Sequence, residues 1–249
     1  MCSLVILRRP GHAWPLLLGA NRDEMRDRPS LPPGRHWPDR PEVVAGLDRL
    51  GGGSWLGLND HGLVAAVMNR TGTLGPEPGK RSRGELVLEA LDHAEADQAA
   101  SALADVNPGA YRPFNLVVAD PLRTFWLSHR GDDKVSVAEV PPGLHMLTSG
   151  ELDDPESPRI RAHLPRFRAA SAPEPDRSDW NGWQRLLASR APGGPDREEA
   201  AMNLDRPSGF GTVSSALLGL PRHPGFGAEA VWLFADGPPD LAPFLPVAA

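Results

Sequence analysis

The feature that most limits what this chain can become is its punctuation. Short apolar runs are interrupted repeatedly by Gly, Pro, Asn and Asp, and Gly and Pro alone supply 26 and 28 of the 249 residues. A transmembrane helix needs about 18 uninterrupted apolar residues, and no run reaches that length. Short strands joined by turns need only what is present.

Ser3–Leu7 and Pro15–Ala20, separated by Pro10 and Gly11, read as paired strands of a buried sheet. Arg26–Pro41, rich in Arg and Pro and without periodicity, reads as an ordered loop or crossing segment. Ser54–Leu58 and Leu63–Met68 flank Asn59-Asp60-His61-Gly62, whose Asx and Gly residues tolerate the positive φ of a hairpin turn. From Gly84 to Val106 the apolar spacing changes to that of two helices or one broken helix, stopped by Asn107-Pro108-Gly109. Phe114–Ala119, Thr124–His129, Lys134–Val140 and Leu144–Thr148 read as a four-strand antiparallel meander. Modest helices follow at Pro158–Phe167, Trp180–Arg190 and Asp196–Leu204, then strands at Thr212–Leu218 and Glu229–Ala235. This order predicts an α+β architecture of two antiparallel sheets with helical layers outside them. No internal repeat and no long linker divides the chain, so residues 1–249 read as a single domain.

Charge and composition narrow the function. With 26 Lys+Arg against 32 Asp+Glu the formal charge is −6, the opposite of the basic face that tracks phosphates. Leu4–Leu7 and Trp14–Ala20 are split by Arg8, Arg9, Pro10 and Gly11, a poor secretory signal, so the expected compartment is the cytosol and no stable membrane insertion is expected. The eight histidines are scattered without helical pairing near a carboxylate, which argues against a zinc site. Gly75-Pro76-Glu77-Pro78-Gly79-Lys80 has the wrong spacing and two prolines too many for a phosphate loop.

The cysteine count is the most informative number. The single cysteine, Cys2, excludes an intramolecular disulfide and any multi-Cys metal site. Removal of Met1 would put a thiol and a free α-amine on one residue. An α-amine with a pKa near 7.7–8.0 is a far better proton acceptor at neutral pH than a lysine, so nucleophile and base would come together. If the first two strands are antiparallel, the end of the second returns to Cys2 and brings Asn21-Arg22-Asp23-Glu24 beside it. There Arg22 favours a thiolate, and Asp23 can hold the α-amine by a charge-assisted hydrogen bond.

These residues carry a resemblance. Met1-Cys2, Ala20-Asn21-Arg22-Asp23-Glu24, Arg28-Pro29, Gly52-Gly53-Ser54-Trp55-Leu56-Gly57, Asn59-Asp60-His61-Gly62 leading to Asn69, and Ser82-Arg83-Gly84-Glu85-Leu86-Val87 together resemble the NRDE domain family, also known as the transport-and-Golgi-organisation protein two family. That family is similar to the cysteine N-terminal-nucleophile hydrolases. The resemblance implies a four-layer αββα sandwich, with Cys2 as nucleophile, Arg22 and Asp23 in support, and Asn69 as donor to the developing oxyanion. Asn21, Glu24, Trp55 and Ser149 are the matching substrate-binding candidates, and no metal or cofactor is required. Where relatives tend to have Ser-Asn this chain has Thr148-Ser149, and where they tend to have Gly-Thr-Arg it has Gly211-Thr212-Val213.

Two functions follow. The first is an amidohydrolase or acyltransferase acting on a small amide or acyl substrate. The second, which the family resemblance implies, is a non-catalytic protein for haem or lipid binding and trafficking, in which Cys2, with His12 or His36, would ligate haem iron.

Overall fold

The short runs do become strands, and each turns where its punctuation sits. In the computed structural model, residues 2–190, 199–223 and 229–248 are described. The first six strands are β1 (Ser3–Arg8), β2 (Leu16–Met25), β3 (Ser30–Gly34), β4 (Val43–Asp48), β5 (Leu56–Asn59) and β6 (Val64–Asn69). Helices α1 (Gly84–Leu91) and α2 (Ala96–Ala104) follow, then β7 (Phe114–Ala119), β8 (Thr124–His129), β9 (Ser136–Glu139) and β10 (Gly143–Leu147). Helices α3 (Pro158–Ala169) and α4 (Asn181–Leu187) precede β11 (Phe210–Leu220), β12 (Val231–Ala235) and the two-residue β13 (Leu245–Pro246). This is the expected α+β class: two antiparallel sheets with helices.

The chain divides into two compact units. One comprises Met1–Asp27, Pro142–Pro221 and Glu229–Val247, and carries the sheet ordered β10-β1-β2-β11-β12-β13. Its core joins Val5, Leu17, Leu217 and Met146 from the strands to Ile160, Leu164 and Phe167 of α3 and Trp183 and Leu187 of α4. The other is built on Arg28–Pro141 and carries the sheet ordered β3-β4-β5-β6-β7-β8-β9. There Leu86, Val87 and Leu91 of α1 and Ala99 and Leu103 of α2 cover Val43, Ala65, Leu116, Val118 and Leu127. The strand positions alternate, as one face of a pleated sheet must.

Three details depart from the sequence reading. Arg26–Pro41 contains a strand, β3, whose ladder with β4 shifts between Leu31 and Gly34. Pro32 and Pro33 have no N–H to donate, so this strand lies at the sheet edge. The four-strand meander is three strands long, because β10 leaves it and pairs with β1, Leu4 opposite Leu147. Pro141-Pro142 cannot continue a hairpin ladder and marks the change of sheet. The helix expected at Asp196–Leu204 falls partly outside the described residues, and 199–204 form a turn followed by irregular, bent chain rather than a helix.

Much of the sequence motif is scaffold in the second unit. A Cβ on Gly53 would lie 2.3 Å from the Gly84 carbonyl carbon, and the Ser54 N–H donates to the Gly84 carbonyl at 3.0 Å. Two motif segments far apart in sequence therefore meet backbone to backbone, which only glycine permits. Asn59 donates its amide to the carbonyls of Leu91 and His93 and accepts from the N–H groups of His61 and Leu63. It closes the hairpin turn and caps the end of α1 with one side chain. Arg28 reaches Asp48 at 2.6 Å, and Asp48 in turn accepts from the N–H of Leu50 and Gly51.

Candidate functional site

The site grows from the β1–β2 ladder. Ser3 pairs with Asn21 and Leu4 with Ala20, so the residue before Ser3 comes opposite Arg22. The half-buried Cys2 thiol donates to the backbone carbonyl of Asp23 at 3.7 Å. Burial pushes the thiol above its ordinary range and the Asp23 carboxylate adds to the rise, outweighing the chain's terminal amine, the hydrogen bond to the Asp23 carbonyl and Arg22, which pull against it. The side chain is therefore a thiol at neutral pH.

Strand alternation sorts the cluster onto two faces. Ser3, Asn21 and Asp23 share the face covered by α3 and α4. Asn21 donates to the carbonyls of Leu187 and Met202, both at 3.0 Å, and accepts from the Ser215 hydroxyl at 2.7 Å. This amide has both hydrogens committed to backbone. The structure gives Asn21 the task of fixing α4 and the 202 segment to the sheet.

Asp23 is deeply buried on the same face. Thr212 donates its hydroxyl to Oδ1 at 2.7 Å, and Arg159 of α3 donates Nη1 to Oδ2 at 2.8 Å. Arg159 also reaches the Ser3 hydroxyl.

The β2–β11 ladder explains how Arg22 and Asp23 keep separate neighbours. Thr212 pairs with Asp23 and Ser214 with Arg22, and the bulge between them takes up Val213. Without the extra residue Thr212 and Ser214 would point the same way. With it, Thr212 faces Asp23 and Ser214 stands beside Arg22. The Ser214 hydroxyl is buried with no hydrogen-bond partner among the described residues. Val213, at the position where an Arg was noted in relatives, is the half-exposed bulge residue.

The remaining candidates fall as follows. Glu24 is half-buried and accepts from the Met25 N–H at 2.8 Å. Ser149 is buried just past β10. The turn after it is held by Asp153, in the left-handed region at φ 54, which accepts from the Met146 N–H and His145 Nδ1, both at 2.7 Å. Burial alone would raise the Asp153 carboxyl, but these hydrogen bonds outweigh it and hold the group below its ordinary range. Trp55 and Asn69 belong to the second unit. The Trp55 ring covers Gly46, where a Cβ would lie 2.3 Å from it. Asn69 ends β6, half-buried.

The two histidines offered as haem ligands each hold a local hydrogen bond. His12 accepts from the Trp14 N–H at 2.9 Å in the turn after β1, roughly 20 Å from Cys2 along that strand, too far to share one iron with it. His36, in the second unit, bonds the Pro32 carbonyl at 2.8 Å. Among the described residues no group of three or more His, Cys, Asp and Glu could hold a metal, and no helix is long and apolar enough to cross a membrane.

Arg159 and Ser214 were not legible as site residues. Arg159 had one signal: it lies one turn before His163 on the apolar stripe of Ile160, Leu164 and Phe167, where a charge is unexpected.

Comparison with solved structures agrees with this architecture. A Caenorhabditis elegans ortholog of N-acylethanolamine-hydrolyzing acid amidase superposes with a TM-score of 0.57 at 13% identity, over 90% of this chain and 94% of that one. A variant of the conjugated bile acid hydrolase from Clostridium perfringens gives 0.53 at 11% identity, over 100% and 97%. The fold is that of the N-terminal-nucleophile hydrolases. The Transport and Golgi organisation 2 family matches residues 1–188, and the chain belongs to this family. The Transport and Golgi organization 2 homolog of Mus musculus and that of Homo sapiens are each 32% identical over 155 residues, 58% of this chain. The match spans about half the length of these relatives, 54%.

Proposed function

We propose that this protein is an N-terminal cysteine amidohydrolase or acyltransferase, with Cys2 freed by removal of Met1 and acting on the amide of a small acyl compound. Met1 itself lies outside the described residues. The observation that carries the reading is the register Ser3↔Asn21, which brings the thiol to the Asp23 carbonyl with Arg22 alongside. Because burial keeps the sulfur protonated, attack needs a base at the moment of reaction rather than a thiolate formed beforehand. The α-amine of the trimmed chain supplies it. The amine accepts the thiol proton as sulfur bonds to the carbonyl carbon, then returns it to the leaving amine as the C–N bond breaks. Water cleaves the resulting thioester, or a second nucleophile takes the acyl group.

The solved structures of similar fold are named for hydrolysis of an N-acylethanolamine and of a conjugated bile acid, and a fatty or sterol acyl amide is the substrate class to try first. The resemblance assigns oxyanion stabilisation to Asn69, a contribution of about 3 kcal/mol when a side-chain amide does this work.

The test is intact-mass analysis of the purified chain, followed by incubation with a panel of N-acyl amides and a search for an acyl adduct on Cys2. An adduct that forms in the wild type and is absent in Cys2→Ala is expected. A retained Met1, or substrate turnover unaffected by Cys2→Ala, overturns the proposal.

A further inference from the structure

Helix α3 carries four arginines, and three of them behave ordinarily. Arg161, Arg166 and Arg168 are exposed, whereas Arg159 is only 2% exposed. A buried guanidinium costs several kcal/mol in lost hydration unless its partners are well placed. Those partners are Asp23 and Ser3. Ser3 is joined to Cys2 by a peptide bond, and Asp23 offers its carbonyl to the Cys2 thiol. One guanidinium from a distant helix thus grips the residues that flank the sulfur on both strands.

We infer that Arg159 is a positioning residue for Cys2: it clamps Ser3 to Asp23 across the β1–β2 ladder and cancels the carboxylate's charge where the thiol would feel it. The inference rests on Cys2 being the reacting group of the proposed function. Among the described residues the charged groups around the sulfur are Asp23 and Arg22 from β2, together with the chain's terminal amine, and Arg159 from α3 acts through Asp23; the segment past β10 contributes the uncharged Ser149. An Asp23 stripped of its cation would oppose thiolate formation more strongly, and its backbone carbonyl would lose its fixed position.

Because Cys2 is the sole cysteine, alkylation by iodoacetamide reports on it alone. The rate is measured against pH in the wild type, Arg159→Lys, Arg159→Met and the double variant Arg159→Met/Asp23→Asn, with thermal melting alongside. Arg159→Met is expected to move the alkylation midpoint to higher pH and slow the reaction at pH 7 by about threefold to tenfold, a shift of about half to one pH unit. Arg159→Lys restores part of this, and the double variant returns the midpoint to the wild-type value or below it. If Arg159→Met does not fold, Arg159→Lys and the double variant, which buries no lone carboxylate, carry the comparison. Lower melting temperatures with unchanged alkylation midpoints overturn the inference and leave Arg159 a stabilising residue only. Alkylation requires no turnover, so a protein that hydrolyses nothing still answers the question.

Discussion

The Cys2 thiol donates to the Asp23 carbonyl at 3.7 Å, while the carboxylate of the same residue is held at 2.8 Å by Arg159. Asp23 therefore faces two ways: its backbone touches the sulfur and its side chain belongs to the helix side. This division decides which changes nearby should alter chemistry and which should alter stability.

Asn21 belongs to the second group. Truncation to Ala strands the buried Leu187 carbonyl and leaves the Met202 carbonyl with Thr212 alone at 3.5 Å, while the Ser215 hydroxyl keeps the Ala20 carbonyl at 3.0 Å. Asn21→Ala is expected to destabilise the protein by about 1–3 kcal/mol, the cost of leaving one buried partner unsatisfied. Urea unfolding of the two proteins measures this. A loss below about 1 kcal/mol contradicts the anchoring role.

Ser214 should respond in the opposite direction. Its hydroxyl lies buried beside Arg22 without a partner among the described residues, so removing it removes a desolvation cost and only a small volume. Ser214→Ala is expected to leave stability unchanged or raise it by up to about 1 kcal/mol in the same urea titration. A clear loss of stability means that the hydroxyl is satisfied in solution.

How much of this was legible in the sequence depends on the range over which each feature is decided. The pairing of β1 with β2 was, because an apolar run, a turn and a second apolar run are local. The departure of β10 from the meander was not: a strand that changes sheets and one that continues a hairpin have the same local pattern. Asn21 was singled out for its place beside the other motif residues, but its partners Leu187 and Met202 lie far along the chain, and only folding shows that the amide is spent on them. Arg159 was hidden by its company, since Arg161, Arg166 and Arg168 make the whole helix read as a solvated charged face.

The glycine motif yields a prediction about the second unit. Gly53 and Gly84 meet so closely that a Cβ on Gly53 would stand 2.3 Å from backbone, which cannot swing aside as a side chain can. Gly53→Ala is expected to cost about 3 kcal/mol or more, at the upper end of overpacking penalties. Gly72→Ala serves as the comparison, because nothing lies within 4 Å of its Cβ position and only its φ of 76° opposes the change. Similar losses from the two substitutions, measured by thermal or urea unfolding, would show that close approach is not what the motif protects.

Acid sensitivity is expected to trace in part to His163. This imidazole is fully buried on α3, donates Nε2–H to the Ala200 carbonyl at 2.8 Å and faces Arg166 at 3.2 Å through Nδ1. Burial, reinforced by the cations of Arg166 and Arg159, lowers its pKa from 6.5 to about 4, against the pull of the Ala200 hydrogen bond. A lowered folded-state pKa means that the unfolded chain binds the proton first. The contribution is present in full above about pH 6.5, falls as the pH drops, and is gone below about pH 4, a loss of about 3 kcal/mol. Carboxylates titrate near the lower end of that window, so the difference between proteins isolates the histidine. Unfolding free energies at pH 7 and pH 4.5 should fall further for the wild type than for His163→Gln, which keeps a donor for Ala200 and has nothing to protonate. Equal falls in the two proteins would place the acid sensitivity elsewhere.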